Sequence, residues 1–169
     1  MFVDQERPVD PALIDELCAL ATWAPNHKQT WPWRFAALTG AARAKLGEAF
    51  ADDMAARGFG DEGKRAKTRT KYTRTPSELV VGSAAHANEL FDVENQYAVA
   101  AGIQNLLLGA TALGLASFWG SPPLADSAAA LAVCEFAPTD RIVGVIYLGW
   151  ATGTVPTPER PAPAVRHLA

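Results

Sequence analysis

Leu13, Ile14, Leu17, Cys18, Leu20 and Ala21 recur at three- and four-residue spacing and draw one apolar stripe along a helix. Asp10-Pro11 supplies its start, an acceptor side chain at the cap followed by proline at the first helical position. Ala24-Pro25 supplies its end. A second stripe, Leu46, Phe50 and Met54, predicts another amphipathic helix, stopped by the glycines at 58, 60 and 63. Residues 34–38, 79–83 and 115–119 predict short strands, and 141–149 is a nearly continuous apolar run of the kind found inside a sheet. The most apolar segment is 97–113, broken only by Gln104, Asn105 and Thr111. It predicts a helix buried on nearly all sides, too short and too polar for the ~20 apolar residues of a membrane span. Gly102 and Gly109 would let another helix approach it closely. Glu89, Asp92 and Glu94 just before it suit a helix N-terminus, Gly114 suits a C-cap, and 127–133 predicts a small further helix.

Between the first helix and the first strand lies the densest stretch of the chain, residues 24–35. Pro25 and Pro32 forbid a continuing helix, while Trp31, Trp33 and Phe35 call for burial. Asn26, His27, Lys28, Gln29 and Thr30 form five consecutive hydrogen-bonding side chains between them. A loop that displays polar groups from aromatic anchors suits the edge of a planar ligand. An aromatic-proline corner whose polar residues simply meet water is the competing reading.

Residues 64–74 carry Lys64, Arg65, Lys67, Arg69, Lys71 and Arg74 with no acid among them. Two readings stand: a solvated helix face, or an anion site for a phosphate-bearing ligand. Farther on, Phe118 and Trp119 offer planar apolar surface, and Gly120 would let a backbone amide come close to a ligand. Buried strand aromatics entering a turn are the alternative.

The totals narrow the function classes. The 169 residues suit one domain, and 49% hydrophobic content places the chain among globular proteins. A net charge of −3 gives no general attraction to nucleic acid or anionic membrane. Cys18 and Cys134 lie far apart without neighbours at metal-ligand spacing, which predicts free thiols in a reducing compartment. The start, Met-Phe-Val-Asp-Gln-Glu-Arg-Pro, has neither a basic nor an apolar leader region, so the expected location is cytoplasmic. No nucleophile elbow, phosphate-binding glycine loop, zinc helix motif or dinucleotide fingerprint occurs. His86 and His167 lack plausible ligand partners nearby and read as surface or packing residues.

The order Ala24-Pro25, then polar residues, then Pro32-Trp33-x-Phe35 resembles the flavin-binding loop of the nitroreductase family, whose usual form is Ala-Pro-Ser-x-x-Asn-x-Gln-Pro-Trp-x-Phe. Asn26, His27 and Gln29 fall where that loop carries its polar residues, and Trp31 stands where glutamine is usual. The Asn-His-Lys variant resembles a branch of small, single-domain NAD(P)H nitroreductases. Lys67, Arg69, Arg74 and Pro76 match the family's Lys-x-Arg-x-x-x-x-Arg-x-Pro. Residues 101–108 resemble its central Ala-x-x-Gln-Asn-Leu-Leu-Leu helix.

The resemblance implies an α+β fold with a central, mostly antiparallel sheet flanked by helices, acting as a homodimer. It implies FMN at the subunit interface, NAD(P)H as co-substrate, and nitroaromatics, quinones or similar planar acceptors as substrates. The implied flavin contacts are Pro25, Asn26, His27, Gln29, Lys71, Phe118, Trp119, Gly120 and Arg160, with Lys67 competing with Lys71 for the place near the ring. A backbone N–H of the turn after Phe118 would face the flavin N5. No catalytic side chain is assigned, because the cofactor carries the chemistry, and no metal is expected. Residues 1–152 form the expected domain. The proline-rich 153–169, with Pro156, Pro158, Pro161 and Pro163, forms an arm that would pack on the partner, with Arg160 at the flavin phosphate. Family members usually begin with a helix followed by an arginine-rich clamp for that phosphate, and the sequence starts just after that point. Two readings stand, a truncated start or a protein without the clamp, and the second implies a loosely held cofactor: two lost charge-assisted hydrogen bonds correspond to roughly a hundred- to ten-thousand-fold in affinity. A rival with the same fold is a flavin-binding or flavin-sequestering protein without turnover.

Overall fold

Asp10 caps α1 (Pro11–Ala21) as its carboxylate accepts the Ala12 N–H at 2.9 Å, and proline at the first position fixes the entry. The computed structural model describes residues 3–154 and 157–168, so Pro156 lies outside the described residues. After α1 come a tight turn over His27–Gln29, β1 (Trp33–Thr39), α2 (Ala41–Ala56), α3 (Glu62–Lys71) and β2 (Ser77–Ser83). The chain continues through α4 (Glu89–Ala112), β3 (Leu115–Gly120), α5 (Ala128–Val133) and β4 (Arg141–Trp150). The strands form one sheet in the order β1-β2-β4-β3, with every neighbouring pair antiparallel. This is the α+β architecture that the resemblance implies.

Strand alternation splits the core in two. Leu79 and Val81 of β2, with Ile146 and Leu148 of β4, face α1 and α4 and meet Leu17, Val99, Ile103 and Leu106. Val80, with Val145 and Tyr147, faces the other way onto Leu46, Phe50 and Tyr72 from α2 and the end of α3, and Leu131 from α5. The expected second helix is thus confirmed by its stripe: Leu46, Phe50 and Met54 are all fully buried. Each such side chain contributes roughly 1.5–3 kcal/mol of transfer free energy. The apolar run of β4 sits between β2 and β3, inside the sheet as its composition predicts.

The glycines of α4 explain how close α1 comes. A Cβ on Gly102 would stand 2.6 Å from the Ala21 carbonyl oxygen, and one on Gly109 would stand 2.6 Å from Leu20 Cδ1. The helix expected to approach them is α1.

Two features of α4 differ from expectation. It begins at Glu89 rather than near Tyr97, capped by Asn88, whose side chain accepts the Phe91 N–H at 3.3 Å. It is also not buried on nearly all sides within one chain. Tyr97 is 69% exposed, Leu108 lies open about three turns farther along the helix, and Trp23 just after α1 is 84% exposed. The sheet and α1 cover only one side of the helix, which leaves the outer apolar stripe bare. Among the described residues, no helix is long and apolar enough to cross a membrane.

Candidate functional site

The turn after α1 is held in an uncommon backbone conformation. Lys28, Gln29 and Trp31 have φ values of 60°, 52° and 51°, in the left-handed region that side-chain-bearing residues rarely occupy. Three such residues cost on the order of 1–3 kcal/mol each and persist only where their surroundings impose them. Here the constraint is a chain of hydrogen bonds. Asn26 Oδ1 accepts the Trp31 N–H at 2.9 Å, and Asn26 Nδ2 donates to Thr30 Oγ1 at 3.0 Å. Thr30 Oγ1 then donates to Asn95 Oδ1, and the Asn95 amide donates to the Ala84 carbonyl at 3.3 Å. Asn26 therefore shapes the loop from inside.

His27, on the same turn, is paired through Nδ1 to Glu94 Oε2 of α4 at 2.6 Å and meets the Phe91 ring edge-on at 5.8 Å. With Nδ1 engaged, the Nε2 side is left for solvent or a ligand. Pro25 and His27 line an open cavity of about 330 Å³ together with Glu94, Tyr97, Ala98 and Ala101 of α4. Gln29 is exposed and lies outside that lining.

A second cavity, of about 500 Å³, lies at the opposite face of the sheet. Its lining is Lys71 and Arg74 from the end of α3 and beyond, Thr75, Phe118 to Ser121 at the end of β3, and Tyr147 of β4. Phe118 stands opposite Tyr147 in the β3–β4 register, their rings 6.0 Å apart, and is 58% exposed. Trp119 points to the other face, as strand alternation requires; its indole packs over Gly144 and donates to the Val143 carbonyl at 3.4 Å, leaving only part of it at the cavity. The space a Cβ would take at Gly120 is filled by the Tyr147 ring, 2.8 Å from that position. Gly120 thus serves sheet packing at its bare face.

The basic segment resolves into two parts. Arg69 pairs with Asp52 of α2 at 2.7 Å and Arg65 donates to the Gly60 carbonyl, so these belong to the solvated helix surface and its anchoring. Lys71 and Arg74 line the cavity, whereas Lys67 is exposed outside it. Burial holds the Lys71 ammonium below its ordinary pKa, and the neighbouring Arg74 pushes the same way. Glu78 opposes them. Burial pushes the Tyr147 phenol up, and with it the nearby Tyr72. Two cations beside an aromatic wall and the Ser121 hydroxyl fit a planar ligand with an anionic edge.

The single chain therefore brings together Lys71, Phe118, Trp119 and Gly120 in one cavity, and Pro25 and His27 in another. Arg160 is exposed and lines neither cavity. Sequence reasoning missed Tyr147, Thr75 and Glu94. Tyr147 had a readable signal, as a polar-tipped aromatic inside an apolar strand; the other two become visible only through the turn and the register.

Comparison with known proteins agrees with this fold. Residues 3–150 match the model of the nitroreductase family, and the chain belongs to that family. Among relatives, the protein named "Putative NAD(P)H nitroreductase YdjA" from Escherichia coli (strain K12) is 27% identical over 129 residues, covering 75% of this chain and 69% of that protein. A crystal structure of a nitroreductase-like family protein from Bacillus cereus superposes with a TM-score of 0.78 at 28% identity, covering 96% of this chain and 86% of that one. A nitroreductase from Bacteroides fragilis, crystallised with bound FMN, has a TM-score of 0.76 at 18% identity and covers 99% of this chain and 91% of that one; it supports the fold.

Proposed function

We propose that this protein is an FMN-dependent oxidoreductase that uses NAD(P)H to reduce nitroaromatics, quinones or similar planar acceptors, and that it works as a homodimer. The observation that carries the reading is the cavity where Lys71 and Arg74 meet the Phe118–Tyr147 wall. Its cations, flat apolar surface and partial openness suit a tricyclic ring that must also admit a second flat molecule. The family's bound cofactor in the Bacteroides fragilis relative supports it.

The bare apolar stripe of α4 supports the dimer. Tyr97, Leu108, Leu20 and Trp23 form exposed apolar surface of the sort that marks an interface. In this reading the His27 loop of one protomer completes the Lys71 cavity of the other. Bound FMN would supply the redox chemistry, taking hydride from a nicotinamide and handing reducing equivalents to the acceptor. In this reading Lys71 and Arg74 keep positive charge beside the ring's anionic edge, and Phe118 and Trp119 wall the slot. A backbone N–H of the Gly120–Ser121 turn would donate to the flavin N5. Pro25, Asn26, His27 and Gln29 present the partner's loop, which Asn26 holds in shape. Residues 1–152 form the catalytic domain, while 153–169 serve as an arm on the partner that carries Arg160 to the phosphate.

The test is an FMN titration followed by NADH or NADPH oxidation with a nitroaromatic acceptor. Saturable flavin binding with acceptor-dependent turnover is the expected result. Bound flavin without turnover would replace the enzyme with a flavin-sequestering protein. No binding at high micromolar FMN would remove the cofactor assignment.

A further inference from the structure

Glu78 is fully buried in β2, and among the described residues neither of its carboxyl oxygens has a hydrogen-bond partner. It stands in one cross-strand row, Leu38 on β1, Glu78 on β2, Tyr147 on β4 and Phe118 on β3, each directly opposite the next. The last two residues of that row line the cavity with Lys71 and Arg74. Glu78 is therefore one strand spacing from the cavity wall, roughly 5 Å behind Tyr147 and about 10 Å from Phe118.

The groups facing it leave it unpaired. From α2, Arg43 donates to the Thr75 and Gly40 carbonyls. From α3, the Lys71 ammonium lies 4.7 Å over the Tyr72 ring. Arg74 lies on the cavity side, the Tyr72 hydroxyl is itself buried without a partner, and Leu38 on β1 is apolar. An ionised carboxylate with no partner in such a place is so poorly solvated that it takes up a proton instead.

We propose that Glu78 is a positioning residue for the cavity: held as a neutral acid beneath its floor, it leaves Lys71 and Arg74 without a counter-ion and so reserves their charge for an anionic ligand. The inference rests on the flavin reading for the identity of that ligand. The physical consequence concerns charge alone. Burial, which dominates the opposing pull of Arg43 and Lys71, raises the carboxyl of Glu78 to about 9. Below that pH Glu78 places no negative charge beside Lys71 and Arg74; above it, a fixed negative charge appears behind Tyr147 and repels what the cations attract. At about 10 Å and an effective dielectric near 20, one such charge changes affinity by about tenfold.

The experiment compares wild type with E78Q, a neutral isostere, by FMN titration from pH 7 to 10 and by infrared spectroscopy of the unliganded proteins. The expected result is equal affinity at pH 7, then a fall in wild type that sets in near pH 9 and reaches about fivefold at pH 10, which E78Q lacks. The ionisation of FMN is common to both proteins, and that of Lys71 differs only by the pull of Glu78, which favours the cation, so a parallel fall in the two would assign the effect to them and overturn the proposal. Constant affinity in both proteins across the range overturns it as well. In the infrared, wild type should show a protonated-carboxyl band at neutral pH that E78Q lacks and that disappears as Glu78 ionises; no such band at neutral pH overturns the proposal. Failure of the flavin reading looks different: neither protein takes FMN at pH 7, while the wild-type band still titrates and supports the neutral acid.

Discussion

His27 Nδ1 stands 2.6 Å from Glu94 Oε2, which ties the strained turn before β1 to the helix that carries the bare apolar stripe. Both groups are partly exposed, so the pair contributes only about 0–1 kcal/mol to folding. Its role is to aim the ring. Glu94→Gln should leave the melting temperature within about 2–4 °C of wild type and lower FMN affinity several-fold. Thermal melts and fluorescence titration check the two halves, and unchanged affinity would show that the His27 orientation does not matter to the ligand.

Gly102 is one of the places where α1 and α4 touch. The atoms a Cβ would meet there are the Ala21 carbonyl oxygen and Trp33 Nε1, at 2.6 and 2.8 Å, and the first is backbone that cannot rotate away. Gly102→Ala gains helix propensity of less than about 1 kcal/mol, yet the overpacking should dominate and destabilise the protein by about 1–3 kcal/mol. Urea denaturation measures it. A neutral or stabilising result would mean that the two helices separate more easily than this packing implies.

Glu78 makes stability depend on pH in a definite direction. Its folded-state value, about 9, is raised above the ordinary 4.5 by burial. Between those values the folded protein binds a proton that the unfolded chain has released. Stability from this group is thus fully present below about pH 4.5 and lost as pH rises through about 9, on the order of a few kcal/mol in total. Urea midpoints at pH 5, 7 and 8.5 should fall in wild type more steeply than in Glu78→Gln. Parallel curves would place the ionised form comfortably in the fold.

Neither cysteine should react readily in the native state. Burial pushes both thiols up to about 12, with Asp15 adding to the effect at Cys18, and the thiolate is the reactive species. At pH 8 a chromogenic disulfide reagent should titrate about two thiols in denaturant and almost none in buffer over minutes. Fast modification of the partly exposed Cys18 would show that α1 opens locally.

Much of this architecture is legible because local chemistry and packing agree. Asp10-Pro11 marks the start of α1, Leu46, Phe50 and Met54 mark the buried face of α2, and the apolar run of β4 marks an inner strand. The early start of α4 is harder to read because its first two turns, Glu89 to Gln96, mix acids with Leu90, Phe91 and Val93 and bury only Asn95, so their apolar residues do not continue the core-facing stripe. The left-handed turn is hidden too, since Lys28, Gln29 and Trp31 are not residues that favour positive φ; the network from Asn26 to Asn95 imposes it. Glu78 escapes because an acid ahead of Leu79 reads as an exposed strand end, whereas the strand begins at Ser77 and registers it against Tyr147. The candidate residues are legible as types and illegible as a place, because one chain holds Lys71, Phe118, Trp119 and Gly120 in one cavity and Pro25 and His27 in another.

That separation sets the most direct test of the proposed shared site. Lys71→Glu damages the cavity and His27→Ala damages the loop, so a homodimer of either should hold FMN weakly. In a heterodimer of the two, purified through different tags on co-expressed chains, both lesions fall in one site and the other site is built from two undamaged halves. The prediction is about half the wild-type flavin content, bound with wild-type affinity. A heterodimer that binds FMN no better than the two homodimers, or a monomer that binds it fully, would contradict a site made by two protomers.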